Sequence, residues 1–300
     1  MVPGNETPAM IDQNGFLPSF SPDGQQICFV RVVGDKYQIM ITKASGGEQP
    51  RLFADGLVPP SYSLLPYLRV QTSEFSWSPD GTQIAYISGK SGQRNIWIAN
   101  VSGSPEIQLS QNSDARLYLS SPVWSPDGKQ VAFTSRTPIS AGTSEYGVWI
   151  IDAATHVSSQ LLVRREAIRL LGWAGDGKGL LIAKLVTANL QNTSTPHSDA
   201  VLSNLNIQSK TVREVKMIKE AYSGNTFLSP DKKTIAFSAH RDGMDNIWVI
   251  PSDGGAEKKV TNNTDARLYF SSLVFSPGND VIYFGKQSRY SLLSMITNYK

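Results

Sequence analysis

The tetrapeptide Ser-Pro-Asp-Gly occurs three times, at residues 21–24, 78–81 and 125–128. Degenerate copies follow as AGDG at 174–177, SPDK at 229–232 and SPGN at 276–279. Successive copies are 47 to 57 residues apart, close to the roughly 40–50 residues of a four-stranded propeller blade and longer than most two-helix repeats. The spacing therefore predicts six repeats of a small antiparallel sheet.

Each repeat carries the same strand pattern, with short apolar runs separated by Gly, Asn, Asp and Ser turns. The first strand ends just before the tetrapeptide at Phe20, Trp77, Trp124, Trp173, Leu228 and Phe275. The third strand brings into one register Met40, Trp97, Trp149, Leu202, Trp248 and Leu293. Because large side chains recur at equivalent positions, we interpret them as packing between blades and not as a ligand cage.

The last repeat has no fourth strand of its own, because the chain ends shortly after its third strand. Residues 4–11 (GNETPAMI) align with residues 46–53 (GGEQPRLF), which lead into the fourth strand of the first repeat. We predict that the N-terminal strand, residues 4–12, joins the C-terminal blade and closes the ring. The predicted fold is all-β, a single domain over 1–300 forming a six-bladed β-propeller of four-stranded antiparallel blades. The predicted blades span approximately 15–55, 72–111, 119–165, 168–218, 223–262 and 270–298.

Composition narrows the class of protein. The chain has 300 residues, 40% apolar and 18% charged, with 24 Gly and 17 Pro, which suits a turn-rich all-β domain. No apolar run reaches the roughly 18 residues of a membrane span. A net charge of +3 without basic clusters argues against a nucleic-acid partner. The start lacks the basic and apolar regions of a signal peptide, so we expect a cytoplasmic chain or one cut from a longer precursor.

The single cysteine, Cys28, aligns with the small residues Ala85 and Ala132 of other second strands. We predict that it is buried and structural. The alternative, a reactive thiol, would require an exposed and electropositive setting.

The tetrapeptide itself is typical of a tight turn. Pro presets φ, Asp bonds back to nearby amides and Gly accepts a positive φ. A metal site would need these turns to converge, whereas we expect them to be spread around the rim of one face. The ligands of such a metal site would be Asp23, Asp80, Asp127, Asp176 and Asp231. We therefore predict no metal site and no cofactor.

Two segments, WSPDGTQIAYISGKSGQRNIWIA (77–99) and LSPDKKTIAFSAHRDGMDNIWVIPSDGG (228–255), resemble blades of the TolB-type β-propeller family, and the resemblance covers nearly the whole chain. It implies a bacterial protein in the periplasm or another extracytoplasmic compartment, where the propeller binds partner proteins or serves as a sensor domain. Similar propellers also cover the active site of prolyl-oligopeptidase-type peptidases.

Connections differ between the two faces of the predicted ring. The second-to-third turns and the fourth-to-first connections open on one face, here called the loop face. Three long connections fall on it, at 55–73, 136–146 and 184–199. Long loops on a rigid scaffold commonly carry recognition, although insertions without a role remain the alternative.

The loop face also holds two closely similar segments, NSDARLYLSSPVWSP (112–126) and NTDARLYFSSLVFSP (263–277), identical at 11 of 15 positions. Nine residues before the tetrapeptide, the six repeats have Asp12, Arg69, Arg116, Arg165, Glu220 and Arg267. We expect these groups around one mouth of the channel. Asp114 and Asp265 could neutralise the arginines internally, or a small anionic ligand or protein partner could do so through bidentate contacts. The predicted binding residues are Arg69, Asp114, Arg116, Tyr118, Arg165, Asp265, Arg267 and Tyr269.

No catalytic constellation is visible in the sequence. Gly-x-Ser-x-Gly is absent, and His156, His197 and His240 lie in different repeats without a second ligand at metal spacing. The favoured function is a non-catalytic, monomeric protein-interaction or sensory ligand-binding propeller. The alternative is a carbohydrate-active enzyme, a polysaccharide lyase or glycosidase, with its site at the channel mouth. It predicts that His197 or His240 lies within metal-ligand reach of other His, Gln or carboxylate groups.

Overall fold

The computed structural model describes residues 12, 15–34, 36–57, 74–102, 105–140, 143–186, 198–288 and 291–299. Regular structure in these ranges consists of 22 β-strands. The first two repeats contain β1 (Gly15–Phe20), β2 (Gln26–Val33), β3 (Lys36–Lys43), β4 (Arg51–Leu57), β5 (Phe75–Trp77), β6 (Gln83–Ser88), β7 (Asn95–Asn100) and β8 (Ile107–Gln108). The third contains β9 (Tyr118–Trp124), β10 (Gln130–Ser140), β11 (Thr143–Asp152) and β12 (Ser158–Arg164).

The second half of the chain repeats this order. The fourth and fifth repeats contain β13 (Ile168–Trp173), β14 (Gly179–Val186), β15 (Ser198–Asn206), β16 (Val212–Leu228), β17 (Thr234–Arg241), β18 (Met244–Pro251) and β19 (Lys258–Lys259). The last repeat contains β20 (Leu268–Phe275), β21 (Ile282–Ser288) and β22 (Ser291–Tyr299).

Hydrogen bonding groups these strands into four antiparallel sheets, of eight, four, seven and three strands, and not into the six separate sheets predicted. Two connections explain the difference. Leu57 of β4 pairs with Ser88 of β6, which joins the first two repeats. The strand β16 pairs with β15 at one end and with β17 at the other, so it serves both as the last strand of one repeat and as the first of the next.

The apolar core forms six clusters among the described residues. Five lie between successive repeats, and the sixth consists of residues of the first repeat. The recurring aromatic residues occupy these clusters as predicted, with Trp77, Trp124 and Trp173 all buried. Innermost strands contact their neighbours, and β1 of the first repeat contacts β20 of the last. The rings of Phe20 and Tyr283 are 5.6 Å apart across that junction. The fold is an all-β propeller.

The tetrapeptide forms the tight turn that its residues predict. At 78–81 the amide of Gly81 donates to the carbonyl of Ser78 at 2.9 Å, and Gly81 has φ of +71°. The Ser78 hydroxyl donates to Asp80 at 2.6 Å, which lowers the pKa of Asp80. Successive turns contact each other, since a Cβ on Gly81 would stand 3.5 Å from Pro22.

Some of the remaining fold predictions fall on residues that the structure describes, and others fall outside them. Cys28 is fully buried, and this burial raises the pKa of its thiol well above its usual value. In the long connection at 136–146, β10 and β11 extend as a paired ladder to Ser140 and Thr143, with a register shift between Pro138 and Ser140. The predicted closing strand, apart from Asp12, and most of the other two long connections lie outside the described residues.

Candidate functional site

The two similar segments form matching loops on the loop face. We call residues 112–117 the Asp114 loop and residues 263–268 the Asp265 loop. Each follows an outer strand of only two residues, β8 or β19, and leads into the first strand of the next repeat. Because the outer strand is so short, a hydroxyl pairs with the third strand in its place. Ser110 accepts a hydrogen bond from the amide of Ile96 at 2.8 Å, and Thr261 accepts one from that of Ile247 at 2.9 Å.

A buried asparagine holds each loop to its sheet. The side-chain oxygen of Asn95 accepts hydrogen bonds from the Ser110 hydroxyl at 2.9 Å and from the Asn112 amide at 2.6 Å. The side-chain oxygen of Asn246 does the same with Thr261 at 3.0 Å and Asn263 at 2.8 Å. Both asparagines are 2% exposed. We call these hydrogen-bond sets the asparagine braces.

A second asparagine shapes the loop itself. The Asn112 side chain donates to the carbonyls of Arg94 at 3.1 Å and Asp114 at 3.2 Å, and accepts from the Asp114 amide at 2.8 Å. Asn263 makes the equivalent bonds to Asp245 and Asp265. Matching hydrogen bonds thus give a structural reason for the shared Asn and Asp of the two segments.

Each loop presents an exposed Arg–Asp pair. In the Asp114 loop, Nε and Nη2 of Arg116 donate to the two carboxylate oxygens of Asp114 at 3.1 and 2.9 Å. In the Asp265 loop, Arg267 donates to Asp265 at 2.9 and 2.8 Å. The arginine side chains are 72% and 68% exposed. Internal neutralisation, one of the two alternatives raised by the sequence, is therefore present at both arginines.

These bonds shift the acidity of both aspartates. The Arg267 side chain and backbone amide lower the pKa of Asp265 from 3.8 to about 2, and Arg116 lowers the pKa of Asp114 in the same way. We expect the Asp265 carboxyl to titrate near pH 2 in a carbon NMR titration. Because its pKa in the folded protein is depressed, the stabilisation by the pair is fully present above pH 3.8 and is lost as the pH falls through about 2.

The matched variant for this titration is Arg267→Ala. It should move the midpoint of Asp265 upward towards 3.8 and leave Asp231, whose pKa is lowered first by Ser229, unchanged. An unchanged midpoint at Asp265 would contradict the pairing.

A half-buried arginine lies beneath the Asp114 loop. The guanidinium carbon of Arg94 is 4.9 Å from the ring centre of Tyr118. Burial lowers the pKa of Arg94, while the buried Glu74 opposes that shift. Sequence reasoning missed Arg94, because nothing in the sequence marks its neighbour Asn95 as the residue that holds the loop.

The Asp265 loop has different groups at these positions. The residue that corresponds to Arg94 is Asp245, which is buried and bonded to Nδ1 of His240. Glu74 is replaced by Asn225, which donates to the carbonyl of Phe270 at 2.9 Å. The two loops therefore share an exposed Arg–Asp pair, but the side chains that lie beneath the pair differ.

The other residues considered in the sequence analysis belong to several different elements. Arg165 is exposed just after β12, Asp12 forms an ion pair with Arg31, and Glu220 lies within β16. Tyr269 is the second residue of β20 and pairs through its backbone with Gln287 of β21. Arg69 and His197 lie outside the described residues, so a ring of four guanidinium groups stays a prediction.

Across the described part of the chain, no three His, Cys, Asp or Glu side chains are grouped closely enough to hold a metal ion. Nor does that part contain a helix long and apolar enough to cross a membrane. One further arginine, Arg169, is buried 5.0 Å from the ring centre of Phe227, and its burial lowers its pKa to about 10.

The fold is shared with solved propellers of several functions. TolB from Acinetobacter baumannii has a TM-score of 0.58 and 17% identity, and the match covers 94% of this chain and 64% of that one. The β-propeller domain of the Trilobed protease from Pyrococcus furiosus, which has an open velcro topology, has a TM-score of 0.60 and 12% identity, with coverage of 96% and 82%. Oligogalacturonate lyase from Vibrio parahaemolyticus has a TM-score of 0.57 and 11% identity, with coverage of 96% and 90%.

These likenesses confirm the resemblance to TolB-type propellers at the level of the fold. This chain spans 64% of the length of the Acinetobacter TolB chain. No protein-family model matches the sequence, and no curated protein matches it significantly.

Proposed function

We propose that this chain is a TolB-like propeller that acts as a protein-interaction domain of a bacterial extracytoplasmic protein. Its docking surface is the loop face, with the Asp114 loop, the Asp265 loop and the hairpin of β10 and β11. The whole chain forms one monomeric domain of six blades, closed by residues 4–12. The contact of β1 with β20, and that of the Phe20 and Tyr283 rings, support this closed ring.

The main support for the proposal is the exposed Arg–Asp pair at the tip of each loop, Arg116–Asp114 and Arg267–Asp265. Each arginine is already neutralised by its own aspartate, which disfavours capture of a small free anion. Each tip is also fixed from below by an asparagine brace, so little conformational entropy is lost when a partner binds. Such preorganised polar groups are typical of the rim of a protein–protein interface. The exposed Ile139 near the end of the projecting hairpin adds an apolar contact on the same face.

Site-specific photocrosslinking in the host cell tests the choice of face. A photoreactive residue replaces the exposed Ala115, beside Arg116, or the exposed Lys129, in a tight turn on the opposite face. We expect a discrete protein adduct from position 115 and none from position 129. Adducts from position 129 alone, or from neither position, would contradict docking on the loop face.

The likeness to oligogalacturonate lyase supports a second candidate, a polysaccharide lyase. The test incubates the full chain with oligogalacturonate and divalent cations and follows the ultraviolet absorbance of unsaturated products. Turnover that is lost in His240→Ala would favour the lyase over the interaction domain. Absence of turnover in the wild-type chain would reject that substrate.

A further inference from the structure

The third repeat differs from others in how it treats a cation near the loop face. In four other repeats, a lysine or arginine near the loop-face end of the second strand forms an ion pair with a carboxylate of this chain. These pairs are Arg31–Asp12, Lys90–Glu106, Lys184–Glu214 and Arg241–Glu257. The third repeat has Arg136 in this region, and its Nε donates to the hydroxyl of the buried Ser144 at 3.0 Å. Among the described residues, no carboxylate forms an ion pair with Arg136.

The backbone register places Arg136 in a row of four side chains across the sheet of β9 to β12. Arg136 of β10 pairs with Tyr118 of β9 on one side and with Tyr146 of β11 on the other. Tyr146 in turn pairs with Arg164, the last residue of β12. Because residues directly opposite each other in antiparallel strands lie on the same face, tyrosine and arginine alternate along this row. We call Tyr118, Arg136, Tyr146 and Arg164 the Tyr–Arg row.

Both arginines of the row keep donors that the described residues do not use. Arg136 binds Ser144 through Nε, which leaves the end-on edge formed by Nη1 and Nη2. Arg164 is exposed and donates from Nη1 to the carbonyl of Val163 at 2.9 Å, which leaves Nε and Nη2. Either edge can bind a carboxylate through two parallel hydrogen bonds. Since the two residues lie two strands apart, their backbones are separated by roughly 10 Å.

The surroundings of the row favour a polypeptide over a carbohydrate. The guanidinium of Arg94 lies over the Tyr118 ring, and Tyr146 packs against the core cluster between the third and fourth repeats. Both rings are half-buried and already covered in part by the protein, which disfavours stacking on a sugar. Further along β10, the exposed Ile139 offers an apolar contact. Cationic and apolar groups side by side fit a peptide segment that carries both acidic and apolar side chains.

We propose that the Tyr–Arg row docks an acidic segment of the partner protein, with one Asp or Glu side chain on Arg136 and another on Arg164. The inference rests on the proposed interaction function and names the chemistry of the partner at one part of the loop face. Charge complementarity is the argument. Other repeats neutralise the cation at this level with a carboxylate of their own, whereas here the partner supplies it.

Photocrosslinking beside the row tests this proposal with the full chain in the host cell. A photoreactive residue replaces Ile139, and mass spectrometry identifies the captured protein and the crosslinked segment. We expect a segment with at least two Asp or Glu residues. Because hydrogen bonds between charged groups are strong, Arg136→Ala and Arg164→Ala should each lower the adduct yield by about tenfold or more. Arg213→Ala, at an exposed arginine of β16, is the matched control and should leave the yield unchanged.

Charge reversal then assigns the contact. Arg136→Glu should abolish the adduct at position 139, and replacing one acidic residue of the captured segment by arginine should restore it. A segment without acidic residues, a yield insensitive to both alanine variants, or a reversal that no acidic position restores would overturn docking of an acidic segment.

Two further outcomes separate this inference from the proposed function. A protein adduct at position 115 but none at position 139 would overturn the role of the Tyr–Arg row while leaving the interaction function standing. A carbohydrate adduct at position 139 would overturn that role in favour of the second candidate function. Failure of both positions to capture a protein would overturn both the row and the interaction function.

Discussion

Replacing Trp173 by alanine is expected to lower the free energy of unfolding by about 3–5 kcal/mol, the range for loss of a buried aromatic side chain. Trp173 is 2% exposed and lies in the cluster between the third and fourth repeats. Its indole N–H donates to the carbonyl of Val123 at 3.0 Å, which ties β13 to β9. Denaturant unfolding followed by circular dichroism measures the change.

Two further variants separate packing from hydrogen bonding at this junction. Trp173→Phe keeps a ring but loses the bond to Val123, and should have a smaller effect, with about 0.5–1.5 kcal/mol from the lost bond. Val157→Ala, at an exposed valine, should change the free energy of unfolding by less than about 0.5 kcal/mol. If Trp173→Ala destabilised the protein no more than Val157→Ala, packing between repeats would not be what supports the fold.

The repeated tetrapeptide predicted the turns and most strands because its information is local. Pro, Asp and a positive-φ residue determine the turn wherever they occur. In the degenerate copies Lys232 and Asn279 take the positive φ that Gly supplies elsewhere. The division into sheets could not be predicted in this way. It depends on whether hydrogen bonding continues between repeats, as it does along β16, and no single residue marks that continuity.

The candidate site was predictable only in part, for a similar reason. Asp114 and Arg116 are two residues apart, so their pairing could be foreseen as one alternative. Asn95 and the Asn112 amide that it binds are 17 residues apart. An asparagine at the start of a strand resembles an ordinary turn residue, and its role becomes visible only when the loop folds back over it.

Replacing Asn246 by alanine is expected to lower the free energy of unfolding by about 1–3 kcal/mol, the penalty for leaving buried hydrogen-bonding groups without a partner. The Thr261 hydroxyl and the Asn263 amide would both lose the oxygen to which they donate, at 3.0 and 2.8 Å in the native loop. The Asp265 loop would then become more mobile than the scaffold beneath it. Denaturant unfolding measures the loss of stability, and hydrogen exchange at Asn263 measures the release of the loop.

The neighbouring Asn262 provides a matched control, because it is exposed and has the same side chain. Asn262→Ala should change the free energy of unfolding by less than about 0.5 kcal/mol. Asn95→Ala should reproduce the effect of Asn246→Ala in the other half of the chain, because the two braces make matching bonds. If Asn246→Ala behaved like Asn262→Ala, the brace would not be what holds the loop. The identity of the two segments would then need another explanation, such as binding of a ligand or partner, the second alternative raised by the sequence.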